Sequence, residues 1–247
     1  ADMQAMALRQ LSMANYSGLV ELLKKSYYES NYFVVRLEAL RLLALNYPTE
    51  VADVLQTAMN DSYELIRRYA VEHVEKNCNP ELLPAWIESY LLRGHENRHR
   101  FRIFSAINTF DHDMALNELK KQAAGWSFYD SSYVNELLEY FPRQKKGLER
   151  DFALIGNPES TTKQIQSEIS RFRNKPITKA IDPLLNIIKN ESQEEELRIA
   201  AAETLGWYNL YHDKTSIIKE LETFQTSKKK VMNEIVKTIN RLKGKNR

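Results

Sequence analysis

Residues 95–99 read His-Glu-Asn-Arg-His. Two histidines four positions apart lie about one turn apart on a helix, so both imidazoles can reach one cation. A glutamate between them can serve as general base toward a metal-bound water. Glu118, with eighteen residues between it and His99, stands where a third ligand could complete such a site. His95, His99 and Glu118 would hold zinc, Glu96 would move the proton, and the chemistry would be zinc-assisted peptide hydrolysis.

The surroundings argue against that chemistry. Gly94 immediately precedes the motif, Arg98 lies inside it, and Arg100 and Arg102 follow. Three guanidiniums beside a dication oppose its binding. Glu118 is followed by Leu-Lys-Lys, which with Leu116 and Leu119 reads as an amphipathic surface helix rather than a dry cleft. The expectation is therefore no metal, no cofactor and no catalytic residue. Glu96 instead caps a helix over 96–109 and pairs with Arg102, six positions on.

The elements that position these residues repeat. In YFVVRLEALRLLA (32–44), ELIRRYAVEHV (64–74) and ELRIAAAETLG (196–206), an Arg is followed three residues later by Ala and then by apolar residues at helical spacing. The arginines are Arg36, Arg67 and Arg198, and the small partners Ala39, Ala70 and Ala201 leave room for a close neighbouring helix. Looser copies centre on Arg102, Asn135, Lys163 and Met232, giving intervals of 31, 35, 33, 28, 35 and 34 residues. Between them lie amphipathic stretches at 17–30, 49–59, 80–92, 113–123, 177–189 and 215–224, several opening on Ser, Thr, Asp or Pro. A recurrence of this length with two helices per unit implies an α-solenoid.

The units resemble HEAT repeats, and ELRIAAAETLGWY resembles the HEAT-like subgroup of the phycobilisome lyases. In that subgroup an acidic residue lies six before the Arg, and the two form a ladder between repeats. Asp61 with Arg67 and Glu96 with Arg102 match the offset, while Ser30 and Ser192 hold it before Arg36 and Arg198. The resemblance covers roughly residues 17 to 243 and is poorest over 142–175. It implies an all-α, right-handed solenoid of about seven helix pairs in one domain, 1–247. Residues 1–16 form an N-terminal cap helix, 17–141 repeats one to four, 142–175 a degraded repeat, and 176–247 repeats six and seven with a basic C-terminal cap.

Composition agrees with a helical chain and excludes little else. The sequence has seven Gly and seven Pro in 247 residues, few for turn-rich folds. The net charge is +2, low for a polyanion binder. A single cysteine, Cys78, allows no internal disulfide and reads as a plain turn residue. No apolar run approaches the ~18 residues of a membrane span. The chain begins at Ala1 without a basic-then-apolar leader, so a cytoplasmic location is favoured and an upstream anchor or an exported form stays open.

Two basic clusters, 93–102 and 228–247, raise nucleic acid as an alternative partner, resembling the HEAT-like DNA glycosylases, but their Trp and Asp pairing finds no match here. Asp111-His112-Asp113 resembles a triad fragment, yet Asp113 is well placed to cap a helix starting at 114. The aromatic segment 125–141 includes Trp126 and Tyr129, either a partner hot spot or the filling of a poorly matched junction.

If the arginines are equivalent, so are the positions after them. Two beyond come Glu38, Tyr69, Phe104 and Ala200. Five beyond come Arg41, Glu72, Ile107 and Glu203. Nine beyond come Leu45, Lys76, Asp111 and Trp207. This mixture of aromatic, apolar and oppositely charged residues, facing an inner groove, suits a protein or peptide partner better than a polyanion.

Overall fold

The structure is a computed structural model that describes residues 1–93, 96–124, 131–174 and 176–244; the side chains of Arg93, Asn97, His99, Ser105, Ser131, Ser132 and Tyr133 lie outside the description. The described residues form fourteen α-helices and no strand, so the fold is all-α. In chain order these are α1 (Asp2–Met13), α2 (Leu19–Glu29), α3 (Phe33–Asn46), α4 (Ala52–Ala58), α5 (Glu64–Asn77), α6 (Leu83–Arg93) and α7 (Asn97–Ser105). Then come α8 (His112–Ala123), α9 (Ser131–Gly156), α10 (Thr162–Asn174), α11 (Ile181–Lys189), α12 (Glu195–Leu205), α13 (Lys214–Thr223) and α14 (Lys229–Leu242).

Local chemistry sets many of the boundaries. Asn79 accepts from the Glu81 N–H at 3.0 Å, and Pro80, which has no N–H to leave unpaired, opens a single 3-10 turn before α6. Asp213 caps α13 through the Ser216 N–H. The cap of α8 is Asp111, which accepts from the N–H groups of Asp113 and Met114 at 3.0 Å. This corrects the reading of Asp113 as the cap: the helix starts one residue earlier, at His112, and Asp113 lies in its first turn with its carboxylate on Lys145.

Helices α1, α3, α5 and α7 pack in succession, each against the next, with α2 on α3, α4 on α5, and α6 on both α7 and α8. A second succession runs α10, α12, α14, with α11 on α12 and α13 on α14. Between the two, α9 packs on α8 at one end of the chain order and on α10 at the other. One apolar cluster fills the first succession, from Leu8 through Trp86 and Phe110 to Phe141. A separate one fills the second, from Leu148 through Ile169, Tyr208 and Ile235 to Leu242.

Helix α9 runs across the expected boundary between repeat four (ending at 141) and the degraded repeat over 142–175. It continues for 26 residues through Pro142. Proline removes one helical hydrogen bond and crowds the carbonyl four residues back. Buried Phe141 in the first cluster and Leu148 in the second hold the helix on both sides of that defect.

The two successions also meet far from α9 in sequence. Asn77, at the end of α5, is buried and donates from Nδ2 to the Pro48 carbonyl at 2.8 Å and the Leu210 carbonyl at 3.4 Å. Its own carbonyl accepts from the His212 N–H at 2.9 Å. Cys78 takes φ 55°, the left-handed conformation that ends α5. Its thiol donates to the Pro176 carbonyl at 3.3 Å, and the residue is packed in the second cluster. Cys78 is thus a core residue at a junction, not a plain turn residue. Burial pushes its thiol pKa far up, which leaves it protonated and unreactive. A cavity of about 190 Å³ lies in this junction, between Cys78, Leu83, Phe110, Leu148 and Ile177.

Candidate interaction surface

Two of the arginines at the repeating position, Arg36 and Arg67, make equivalent bonds. Arg36 donates to the Ser30 carbonyl at 3.1 Å, and Arg67 to the Asp61 carbonyl at 2.7 Å, in each case six residues back. The remaining donors reach forward to the next unit. Arg36 makes a forked contact with Asp61 at 3.0 and 3.2 Å, and Arg67 meets Glu96 at 2.9 Å. Arg198 donates from Nε to the Ile188 carbonyl at 2.9 Å and from Nη2 to the Thr226 hydroxyl at 3.3 Å. Thr226 lies six before Met232, so it occupies the ladder offset with a hydroxyl. Arg67 and Arg198 are 5% and 1% exposed, so these bonds replace the water their guanidiniums have lost; in Arg67 they are made by Nη1 and Nη2, while its buried Nε has no partner among the described residues.

Asp61 shows the electrostatic result. Burial raises its pKa, but the hydrogen bond from Arg36, the Tyr63 N–H and the Tyr27 hydroxyl outweigh that and hold the carboxyl below its ordinary value.

Glu96 occupies the N-cap position of α7, as expected, but its side chain makes no capping hydrogen bond. Its carboxylate goes back to Arg67, while Arg102 forms an ion pair with Glu72. The helix also ends at Ser105, short of 109. For the zinc motif, His95 and the His99 side chain lie outside the described residues. The other two members are already engaged: Glu96 with Arg67, and Glu118 with Gln122 at 2.8 Å and Lys121 at 3.3 Å.

The rows that follow the arginines meet one another across adjacent helices. Glu38 on α3 takes a forked contact from Arg9 on α1, at 2.7 and 2.8 Å. The Arg41 guanidinium stands 5.8 Å from the Tyr69 ring on α5. Glu72 on α5 reaches Arg102 on α7. Phe104 on α7 packs edge-on against Tyr140 of α9 at 4.8 Å. In the second succession Arg173 on α10 binds Glu203 on α12 at 2.9 Å and stands 5.3 Å from the Trp207 ring, while Arg241 on α14 stands 5.5 Å from it.

Most of these residues stay partly open to solvent: Arg41 is exposed, Tyr69, Glu72, Phe104 and Glu203 are half-buried, and Trp207 is 47% exposed. Two members of the expected contact set are not available. Ile107 is 3% exposed and belongs to the core of the first cluster, because α7 has ended and the chain turns inward there. Glu38 is buried under Arg9. Trp126 and Tyr129 lie outside the described residues.

Sequence reasoning passed over Arg9, Arg173 and Arg241. Arg241 was findable: it lies nine beyond Met232, the offset that selects Trp207 beyond Arg198. Arg9 and Arg173 belong to units whose own arginine position is missing or degraded, and no spacing marks them.

The basic clusters are partly neutralised. Arg100 lies 3.9 Å from Glu136, Lys237 3.2 Å from Glu234 and Lys243 2.5 Å from Glu222. Lys228, Lys229 and Lys230 are exposed at the start of α14, and residues 245–247 lie outside the described residues. Among the described residues, no group of three His, Cys, Asp or Glu side chains is arranged to hold a metal ion, and no helix is long and apolar enough to cross a membrane.

Compared with protein-family models and with curated proteins, the sequence finds no match.

Proposed function

We propose that the chain is a HEAT-like solenoid scaffold that holds a protein partner, without catalysis, on the strip built by the rows after the ladder arginines. The observation that carries this reading is the continuity of that strip. Side chains on α3, α5 and α7, and a second set on α10, α12 and α14, most of them two, five or nine residues beyond the repeating position, touch their neighbours while keeping a solvent-facing side. Each is braced by the next, so little side-chain freedom remains to be lost on binding. The aromatic and arginine content is that of protein interfaces. Three of the ladder arginines, Arg36, Arg67 and Arg198, are structural and link one unit to the next, with Asp61, Glu96 and Thr226 as their acceptors.

The nucleic-acid reading draws less support, because Arg100 and Arg102 face Glu136 and Glu72 instead of standing as a free positive stripe. The deciding experiment is a crosslinked pull-down with wild-type protein and with a folded Tyr69→Ala, Phe104→Ala, Trp207→Ala variant, quantified by mass spectrometry. One dominant protein, lost with the variant, is the expected result. Enrichment that disappears on nuclease treatment moves the reading to nucleic acid.

A further inference from the structure

The cavity of about 190 Å³ at the join of the two successions has walls from both apolar clusters. Leu83 and Phe110 come from the first, and Cys78, Leu148 and Ile177 from the second. The polar side chains on its inner side are already engaged. Asn108 bonds Gln144 at 3.4 Å and His112 at 2.9 Å, and the Thr109 hydroxyl donates to the Glu75 carbonyl at 3.4 Å. Asp111 is closed against Lys179 and the first N–H groups of α8. The lining therefore carries no net charge and offers few free partners to a water, which needs roughly two to four. The walls are also held apart. Asn108 on Gln144, Asp113 on Lys145 and Asp111 on Lys179 bind the start of α8 to α9 and to the 3-10 turn at Thr178–Ala180, and closing the space would break them. On the outer side lie exposed Thr178 and Lys179 and the 52% exposed Met114. A methionine has three free torsions and swings aside at little cost, which provides a way in.

We infer that this cavity is a binding site for a small, uncharged aromatic molecule, about the size of one substituted benzene ring. Dry cavities of ~150 Å³ with walls of this kind take up benzene. The sulfurs of Cys78 and Met114 and the ring of Phe110 give an aromatic guest sulfur–ring and edge-to-face contacts that an aliphatic one does not make. A charged guest loses its water there and meets no free counter-ion, since Asp111 and Lys179 already hold each other. Because both clusters supply walls, the guest fits only while they are joined, and its binding strengthens the join. This adds a ligand to the scaffold reading and does not depend on it.

The test is a titration of the full chain with toluene, read by the melting temperature and by the rate at which a bulky dianionic aromatic disulfide modifies Cys78. That reagent is too large for the cavity, so it reports only the parting of the join. Benzoate and benzylamine are the charged comparisons. Leu148→Trp, which sets an indole of the chain's own in the space, is the filled one, and a circular dichroism melt shows that it is folded. The expected result is a saturable rise in melting temperature with toluene. At about ten times its dissociation constant, toluene slows Cys78 modification about tenfold, while the charged analogues do neither. In Leu148→Trp toluene changes that rate by less than about twofold. No saturable effect of toluene overturns the proposal. So does an equal effect of benzoate or benzylamine, or an equal slowing by toluene in folded Leu148→Trp. Should that variant not fold, the wild-type series with the three compounds decides alone.

Discussion

The first and second successions use one device with different chemistry. Around α3 and α5 the repeating arginine meets a carboxylate of the next unit, Asp61 or Glu96, in pairs that are mostly but not wholly buried. Around α12 it is sunk to 1% exposure and meets a backbone carbonyl and the Thr226 hydroxyl, with Glu191 no closer than 3.9 Å. An ion pair that keeps an edge in water is still partly screened by salt, and its carboxylate can be protonated, so its contribution varies with both salt and pH. A guanidinium enclosed with neutral acceptors depends on each of them, since any unmade bond there goes uncompensated. The first half is therefore the one that responds to pH and salt, and the second the one that responds to packing.

The largest effect expected from this contrast is at Arg198. Arg198→Ala removes the bonds to Ile188 and Thr226 and the packing on Phe224, where the guanidinium stands 5.7 Å from the ring. A loss of about 3 kcal/mol, unchanged by added salt, is expected in urea titrations. A smaller loss than that of Arg36→Ala would break the comparison.

Next comes His73 in α5, whose ring meets the Tyr69 hydroxyl and carbonyl at 3.2 Å each. Burial lowers its pKa to about 4. The folded protein resists a proton that the unfolded chain accepts near pH ~6.5. Its contribution is present above that value and is lost as pH falls from there to about 4, a loss on the order of 3 kcal/mol. His73→Phe flattens that segment of the stability profile, while substitutions in the second succession leave it in place.

Asn77 ties the two halves. Asn77→Ala strips the Pro48 and Leu210 carbonyls of their donor, a cost of about 1 to 3 kcal/mol. Calorimetry should then resolve two transitions, one per apolar cluster; a single, merely lowered transition would show that α9 alone couples them.

The smallest effect is at Asp61, whose lowered pKa stabilises the fold above the ordinary carboxylate range and ceases to do so as pH falls through the folded value. Asp61→Asn removes that acid limb, read as the difference in chemical midpoint at low and neutral pH.

These differences were unequally legible in the sequence. The helix at 215–224 was expected within one residue of α13, and the ladder offset found Asp61 and Glu96, because both rest on spacing within or between neighbouring units. The direction of the ladder was not readable. The offset pairs Glu96 with Arg102 on paper, while the helix packing hands its carboxylate to Arg67. The boundary expected between repeat four and the degraded repeat, at 141/142, falls inside α9, because packing on two clusters carries that helix through Pro142 against a local propensity. The meeting of Asn77 with Leu210, 133 residues apart, has no periodic signature: a repeat encodes what each unit does to the next one. Ile107 failed as a surface residue for a local reason, since the helix that would have displayed it stops two residues earlier.

Cys78 carries a consequence of another kind. The only sulfhydryl in the sequence is sealed at the join of the two halves, its sulfur against Pro176. A labelling reagent can reach it only when that join parts, so the rate of thiol modification under native conditions is a clock for how often the halves separate. The molecule holds its own gauge of internal opening, readable without adding a probe to the chain.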